Sequence, residues 1–357
     1  MLNKIKKKHI FPNPNLKFKQ VISKYNNNDG NNSIFEVYQL LKDNEVYIAS
    51  PHRIETIIDI ILIKNCKILI SLQGHSDLIN IVKYYINTKN NDEYLISVDK
   101  SNITIVWDIN NNYSKIYNIN EKMSLGTISD FLFCYINLNN ILENYIIFSY
   151  KSNWHTSKEN KIEYTNIYSL DGKKIKIFDK SNEYDTYFMI YWINSKDNNN
   201  YIIELSDGKI YINNIIEDTQ YGTFSLSIFD YSKYNSGFIY TSKNNKDFLF
   251  ASNGIGYINI LDLESKSFVG KIGLNRSKFK ISLSLLYILK WSDKYMIIFD
   301  YYNSEIKIID FSTFKIITKI NAKEFGRIIY AKNFIHPIYG ESLLTSGVDH
   351  KIILWSI

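Results

Sequence analysis

Two cysteines in 357 residues, Cys66 and Cys134, are too few and too far apart for a disulfide framework. Their scarcity points to a reducing, intracellular setting, cytoplasmic or nuclear, with each thiol acting as a small buried hydrophobe. Only four prolines occur, and Pro12, Pro14 and Pro51 fall in the first 51 residues, so no Pro-rich linker divides the remainder. No window reaches the roughly 18 uninterrupted apolar residues that a membrane span needs. The longest apolar stretch, Ile281 to Trp291, contains Ser and Lys and has the length of a strand. The N-terminus lacks the apolar core of a secretory signal, so the sequons at Asn31, Asn102, Asn112 and Asn275 are read as products of an Asn-rich composition.

Reactive motifs are missing as well. There is no phosphate-cradling G-x-x-x-x-G-K-[ST] and no G-x-S-x-G elbow, and Gly254-Ile255-Gly256 lacks the third glycine of a dinucleotide fingerprint. The six histidines (His9, His52, His75, His155, His336 and His350) stand singly, without the spacing that sets two metal ligands on one helix face or hairpin. Glu217-Asp218 adjoins a turn and reads as a solvated pair, not as a tuned acid couple. No catalytic residue, metal or cofactor is expected.

What the chain does contain is strand-forming material. Apolar residues make up 45% and aromatics 15%, with Tyr and Phe dominant, enough to build a large β core. The net charge of +6 is uneven. Residues 1–28 carry seven lysines and no acid, which leaves −1 for residues 29–357. A basic arm (1–15, with Lys4, Lys6, Lys7 and Lys8) thus precedes a nearly neutral body (16–357). Such an arm is ordinarily a solvated tail, and it can also contact nucleic acid, anionic lipid or an acidic protein surface.

Turn signals divide the body into stretches near 33–73, 74–120, 121–182, 186–226, 237–274, 281–322 and 325–357. Each holds up to four short apolar segments separated by Asn, Asp, Gly, Ser or Lys. The third is lengthened by an insertion at 153–161 between its second and third strands, and then turns at Asp171-Gly172, where Gly accepts a positive φ at no steric cost. In the fourth, Ser206-Asp207-Gly208-Lys209 is read as the corresponding turn. The seventh supplies only three strands before Ile357. Leu16 to Ser23 alternates suitably (Leu16, Phe18, Gln20, Ile22) to provide the fourth, which would remove an open sheet edge.

Gly74-His75 opens the second stretch, and Ile103-Thr104-Ile105-Val106-Trp107-Asp108 ends its third strand about 30 residues later. Leu343 to Ser356 repeats the closing half with Asp349 and Trp355, while Leu261-Asp262 and Ile309-Asp310 keep Asp at that place and replace Trp. In these residues the chain resembles the WD-repeat (tryptophan-aspartate repeat) β-propeller family over nearly its whole length. The resemblance implies an all-β, seven-bladed propeller of four-stranded antiparallel sheets, closed by the N-terminal strand. It also implies a bracing network of His75, Ser97, Asp99 and Trp107, with Asp108 following, and its remnant Asp349 and Trp355 in the last blade. The hairpin carrying Asp99 is about two residues longer than the family pattern. Lipid-binding propellers resemble one another in a Phe-Arg-Arg-Gly motif, whereas Arg53, Arg276 and Arg327 stand alone here.

For the body, the resemblance implies a non-catalytic scaffold or adaptor that binds protein partners within a larger complex, the propeller itself being monomeric. Loops joining second to third strands, and one blade to the next, share one face of such a ring. They would carry His52, Arg53, Lys100, Trp154, His155, Lys209, Tyr301, Tyr302, Arg327 and His350 as a protein-binding surface. Trp154 and His155 are the sharpest of these, because a Trp inside a polar insertion has no evident core to enter. The lysine-rich arm gives the second reading, an RNA- or ribosome-associated factor.

Overall fold

The computed structural model describes residues 17–22, 36–52, 54–64, 67–87, 89–120, 126–138, 141–152, 163–180, 186–206, 208–217, 219–225, 234–253, 257–273, 286–291, 295–300, 305–311, 313, 315–321, 328–336, 340–347 and 351–356. Every regular element among them is a β-strand. β1 (Lys17–Ile22) stands apart in sequence from its sheet. The first sheet is β2 (Glu36–Gln39), β3 (Val46–Pro51), β4 (Ile57–Leu62) and β5 (Lys67–Gln73), and the second is β6 (Ile79–Ile86), β7 (Glu93–Asp99), β8 (Ile103–Asp108) and β9 (Ser114–Asn120). The third comprises β10 (Gly126–Leu138), β11 (Ile141–Ser152), β12 (Glu163–Ser169) and β13 (Lys174–Lys180); the fourth β14 (Thr186–Ile193), β15 (Asn200–Ser206), β16 (Lys209–Asn214) and β17 (Gln220–Ser225). The fifth holds β18 (Tyr234–Thr241), β19 (Asp247–Asn253), β20 (Tyr257–Asp262) and β21 (Ser267–Gly273), and the sixth β22 (Leu286–Lys290), β23 (Tyr295–Asp300), β24 (Glu305–Asp310) and β25 (Ile316–Asn321). The last contains β26 (Ile328–His336), β27 (Gly340–Gly347) and β28 (Lys351–Ser356), and β1 pairs with β28, setting Lys17 opposite Trp355 and Ile22 opposite Lys351.

Burial explains the residue types. The third strands β4, β8 and β24 are buried on both faces along their middles, so they read as nearly unbroken apolar runs instead of alternating ones. Their outer neighbours β5 and β9 are mostly exposed and tolerate Lys, Ser and Gln. Period-two alternation then sends successive residues of one strand to different neighbouring sheets. Leu95 packs with Ile58 and Ile60 of the first sheet, whereas Ile96 packs with Ile146 and Phe148 of the third.

The same division recurs between every consecutive pair of sheets. Cys134 and Ile147 of the third sheet meet Met189 and Ile202 of the fourth. Ile203 and Leu205 of the fourth meet Leu249 and Leu261 of the fifth. Ile258 and Phe250 face Met296 and Ile298, and Ile297 and Ile306 face Ala331 and Leu343. A seventh cluster joins Val37, Ile48 and Ile61 of the first sheet to Leu344 of the last. Each fully buried Ile or Leu contributes about 2 kcal/mol, so these inter-sheet layers are the main cohesive element.

The outer edges are blunted by one recurring device. Pairing between the third and fourth strands slips by a residue at Ile60/Ile61, Val106/Trp107, Ile167/Tyr168, Ile212/Asn213, Ile260/Leu261 and Ile308/Ile309, and β1 slips against β28 between Phe18 and Val21. A bulge bends the edge and interrupts the row of groups that another chain would pair with.

One reading of the turns needs correction. Gly172, at φ +82, lies in the turn from third to fourth strand, whereas Gly208, at φ +66, lies between second and third strands, so Ser206 to Lys209 is not the counterpart of Asp171-Gly172. Both sites use glycine for the same left-handed conformation, which is why the sequence made them look alike. The fifth sheet also begins at Tyr234, three residues before the expected Gly237.

Candidate functional site

Strand direction sorts the connections into two ends. Links from second to third strands, and from one sheet to the next, share one end, called here the link end. Turns from first to second and third to fourth strands share the other, the turn end.

At the link end, His75 sits in the connection from β5 to β6. Gly74 precedes it because a Cβ there would lie 3.2 Å from Ile105 Cδ1 and 3.3 Å from Trp107 Cη2. The imidazole Nε2 lies 2.6 Å from Ser97 Oγ and Nδ1 lies 3.1 Å from Asp99 Oδ2, while Trp107 Nε1 donates to the same Ser97 Oγ at 2.8 Å. An indole N–H only donates, so Ser97 accepts from Trp107 and gives its own proton to Nε2. For the neutral ring this assigns the Nδ1–H tautomer, which donates to Asp99. The other Asp99 oxygen accepts the amides of Ser101 (3.0 Å) and Ile103 (2.9 Å), which fixes the β7–β8 hairpin. The His75 and Asp99 side chains are 1% and 0% exposed.

The structure therefore brings His75, Ser97, Asp99 and Trp107 together, the longer hairpin being absorbed by the turn that Asp99 caps. Asn102, left-handed at φ +63, extends the arrangement by accepting the Ile128 amide of the third sheet at 2.7 Å. Asp108 stands outside the set. It caps the next turn through the Asn111 amide at 3.2 Å, as Asp262 does through Glu264 and Ser265 and Asp310 through Thr313. The Asp that ends a third strand thus satisfies turn amides, which accounts for its recurrence where Trp is lost. Asp349 lies outside the described residues; Trp355 pairs with Leu343 in the register of β27 and β28.

Of the expected binding surface, His52, Lys100 and Lys209 are described. His52 closes its own loop, its Nδ1 accepting the Ile54 amide at 3.0 Å. Lys100 is exposed at the β7–β8 turn, beside Ser101, whose hydroxyl donates to Asp77 at 2.7 Å. That bond and the Leu78 amide hold the Asp77 carboxyl below its usual range. Lys209 opens β16, half-buried. Arg53, Trp154, His155, Tyr301, Tyr302, Arg327 and His350 lie outside the described residues. Sequence reasoning missed Ile54, 58% exposed on the His52 loop; the signal was an apolar residue flanked by Arg53 and Glu55 in a loop with nothing to pack on.

The turn end carries a latch that sequence reasoning also missed. Glu93, immediately before Tyr94, accepts the Leu41 amide from the preceding sheet at 2.9 Å and the Tyr84 hydroxyl at 2.5 Å. Asn144, before Tyr145, accepts from Tyr85 of the preceding sheet at 2.7 Å. Asp247, before Phe248, accepts from Trp192 and from the Ser195 amide of the preceding sheet. Among the described residues no three His, Cys, Asp or Glu side chains are grouped so as to hold a metal ion, and no helix is long and apolar enough to cross a membrane. Compared with protein-family models and with curated proteins, the chain matches none.

Proposed function

We propose that the chain is a WD-repeat-like scaffold: a closed ring of seven sheets that performs no chemistry and binds partner proteins through its link end. One observation carries the reading. Among the described residues each apolar cluster joins a sheet to its successor, and the seventh returns from Leu344 to Val37 and Ile48, which supports closure of the ring.

Ser97, His75 and Asp99 have the order and contacts of a hydrolase triad, but burial and bonding argue for bracing. Ser97 is fully buried, and one of its lone pairs holds the Trp107 indole. A nucleophile needs substrate access, which this hydroxyl lacks, and a buried, satisfied network instead fixes one loop arrangement. On a rigid frame of this kind, the exposed Ile54 and Lys100 supply the apolar and charged contacts that a protein partner buries.

The test compares proteins captured from lysate by the wild-type chain and by an Ile54→Asp, Lys100→Glu variant whose thermal melting is unchanged. Loss of specific captured proteins supports the reading. Identical sets, together with an unchanged set for Trp154→Ala, His155→Ala, would remove the link end from consideration.

A further inference from the structure

Between the fifth and sixth sheets lies a cavity of about 620 Å³, walled by Tyr240, Phe248, Phe250, Ile260, Ile272 and Phe311. We propose that it seats a bulky apolar side chain of an acidic segment of a partner protein, with a flanking carboxylate of that segment at Lys319. The site is separate from the link end, so either surface can fail while the other stands.

Polarity settles what enters. Lys271 borders the cavity, but it alternates with Gly270 and Ile272, which face inward, and its ammonium lies 3.8 Å from the centroid of the Tyr257 ring on the other face of the sheet. Among the described lining residues none presents a charge to the cavity, and a charge buried there would find no partner. An apolar side chain instead meets rings from both sheets: Phe311 of the sixth lies edge-on to Phe250 at 5.4 Å and stacks on Tyr240 at 4.7 Å.

The lips of the cavity point to a peptide. Val269 lines the space and is 52% exposed. Across from it, Ile316 is 40% exposed. It stands directly opposite Ile309 in the register of β24 and β25, and Ile309 packs against Ile258 and Ile260, so Ile316 also turns toward the fifth sheet. A small molecule held inside would leave both lips wet. A peptide covers them with the residues beside its anchor.

Charge selects acidic flanks. Lys307 alternates with Ile309 and shares its face. It is buried and ion-paired with Glu305 at 3.1 Å, and the exposed Lys319 stands directly opposite it. Like charges so placed repel, and a carboxylate arriving at Lys319 relieves that repulsion while Glu305 stays with Lys307. The outer strands that frame the groove, β21 and β25, each contain lysine and no acid. Complementary charge steers an acidic segment to this rim.

The experiment selects a displayed library of random heptapeptides on the full chain and measures the enriched peptides by fluorescence anisotropy. Peptides with Trp, Phe or Leu beside Asp or Glu are expected, their affinity falling as salt rises. Ile316→Asp and Lys319→Glu, both at exposed positions and checked for unchanged melting, should each weaken them about tenfold, and Ile54→Asp at the link end should not. No enrichment overturns the site. Enriched peptides without acids, or bound equally by the Lys319→Glu chain, overturn the role given to Lys319. Peptides lost with Ile54→Asp and kept by Ile316→Asp bind the link end and overturn the groove. A wild-type chain that dimerises, and becomes monomeric on Ile316→Asp, gives the groove to a second copy instead.

Discussion

The indole N–H of Trp192 donates to Asp247 Oδ2 at 3.0 Å across the gap between the fourth and fifth sheets. The same oxygen accepts the Ser195 amide at 3.1 Å, and the second oxygen accepts the Thr241 hydroxyl at 2.7 Å. Glu93 does the equivalent work between the first two sheets, through the amide of Leu41, which occupies the turn position of Ser195. One carboxylate thus ties a turn of its predecessor to its own sheet, and it does so with neutral donors. Asp247→Ala should therefore cost about 3 kcal/mol, because it strands a buried indole and a backbone amide. Asp247→Asn, which keeps one acceptor, should cost about half as much. Urea unfolding of the three proteins checks the order; equal stabilities would remove the latch.

Ser97 holds the second sheet in the same manner from the link end, standing between Trp107 Nε1 and His75 Nε2. Ser97→Ala should destabilise by about 2–3 kcal/mol, since two buried polar groups lose their partner and nothing replaces them. Ser101→Ala, at the exposed rim of the same loop, should cost under about 0.5 kcal/mol. If the network braces the loop, Ser97→Ala also speeds amide exchange at Ser101 and Ile103, whose N–H groups are bound by Asp99. Unaltered exchange there would show that the hairpin holds itself.

Two glycines separate packing from backbone strain. A Cβ on Gly237 would lie 2.8 Å from the backbone oxygen of Phe250 and 3.0 Å from Leu205 Cδ1, so Gly237→Ala must move a strand and should cost about 2 kcal/mol or more. Gly340 has open space around it but sits at φ +74, so Gly340→Ala carries only the left-handed penalty of about 1 kcal/mol. Gly340→Asn should recover part of that loss. Thermal melts of the three variants distinguish the two causes.

The antiparallel, four-stranded organisation was legible because third strands buried on both faces read as apolar runs. The Trp-Asp signature located the third strand of the second stretch and, through Trp355 opposite Leu343, that of the last, and its Asp alone located those of the fifth and sixth; in the first, third and fourth it gave no guide. The register position of Trp107 is held by Ile61, Tyr168, Asn213, Leu261 and Ile309 in other sheets. A steadier repeat went unread: Tyr47, Tyr94, Tyr145, Tyr201, Phe248 and Tyr295 occupy one position of the second strand in six sheets. Four of those strands follow a turn whose Asn is left-handed (Asn44, Asn91, Asn198 and Asn245). In an Asn-rich chain such turns merge with the background, although Asn is the residue that tolerates the conformation after Gly. The His75 network was readable since its members recur at fixed places in a known pattern. The turn-end latch was not, because Glu93 and Asp247 bind groups about 50 residues away, the Leu41 and Ser195 amides, which belong to no side-chain pattern.

His336, near the end of β26, gives the fold a pH dependence with a definite sign. Burial pulls its pKa below the usual 6.5, with Glu45 acting weakly the other way. The folded state therefore prefers the neutral ring, and protonation is easier after unfolding. Between the lowered value and 6.5 the unfolded chain binds the extra proton, so stability rises with pH across that window and is lost as pH falls through it. Above 6.5 both states are neutral and the dependence ends. His336→Gln should remove this component. The difference in unfolding free energy, wild type minus variant, is expected to be flat above pH 7 and to decline below pH 6.5, when followed by urea titration at fixed salt. A difference that grows on acidification would mean that His336 gains a partner for its charged form in the folded state, reversing the assignment of burial as the dominant cause.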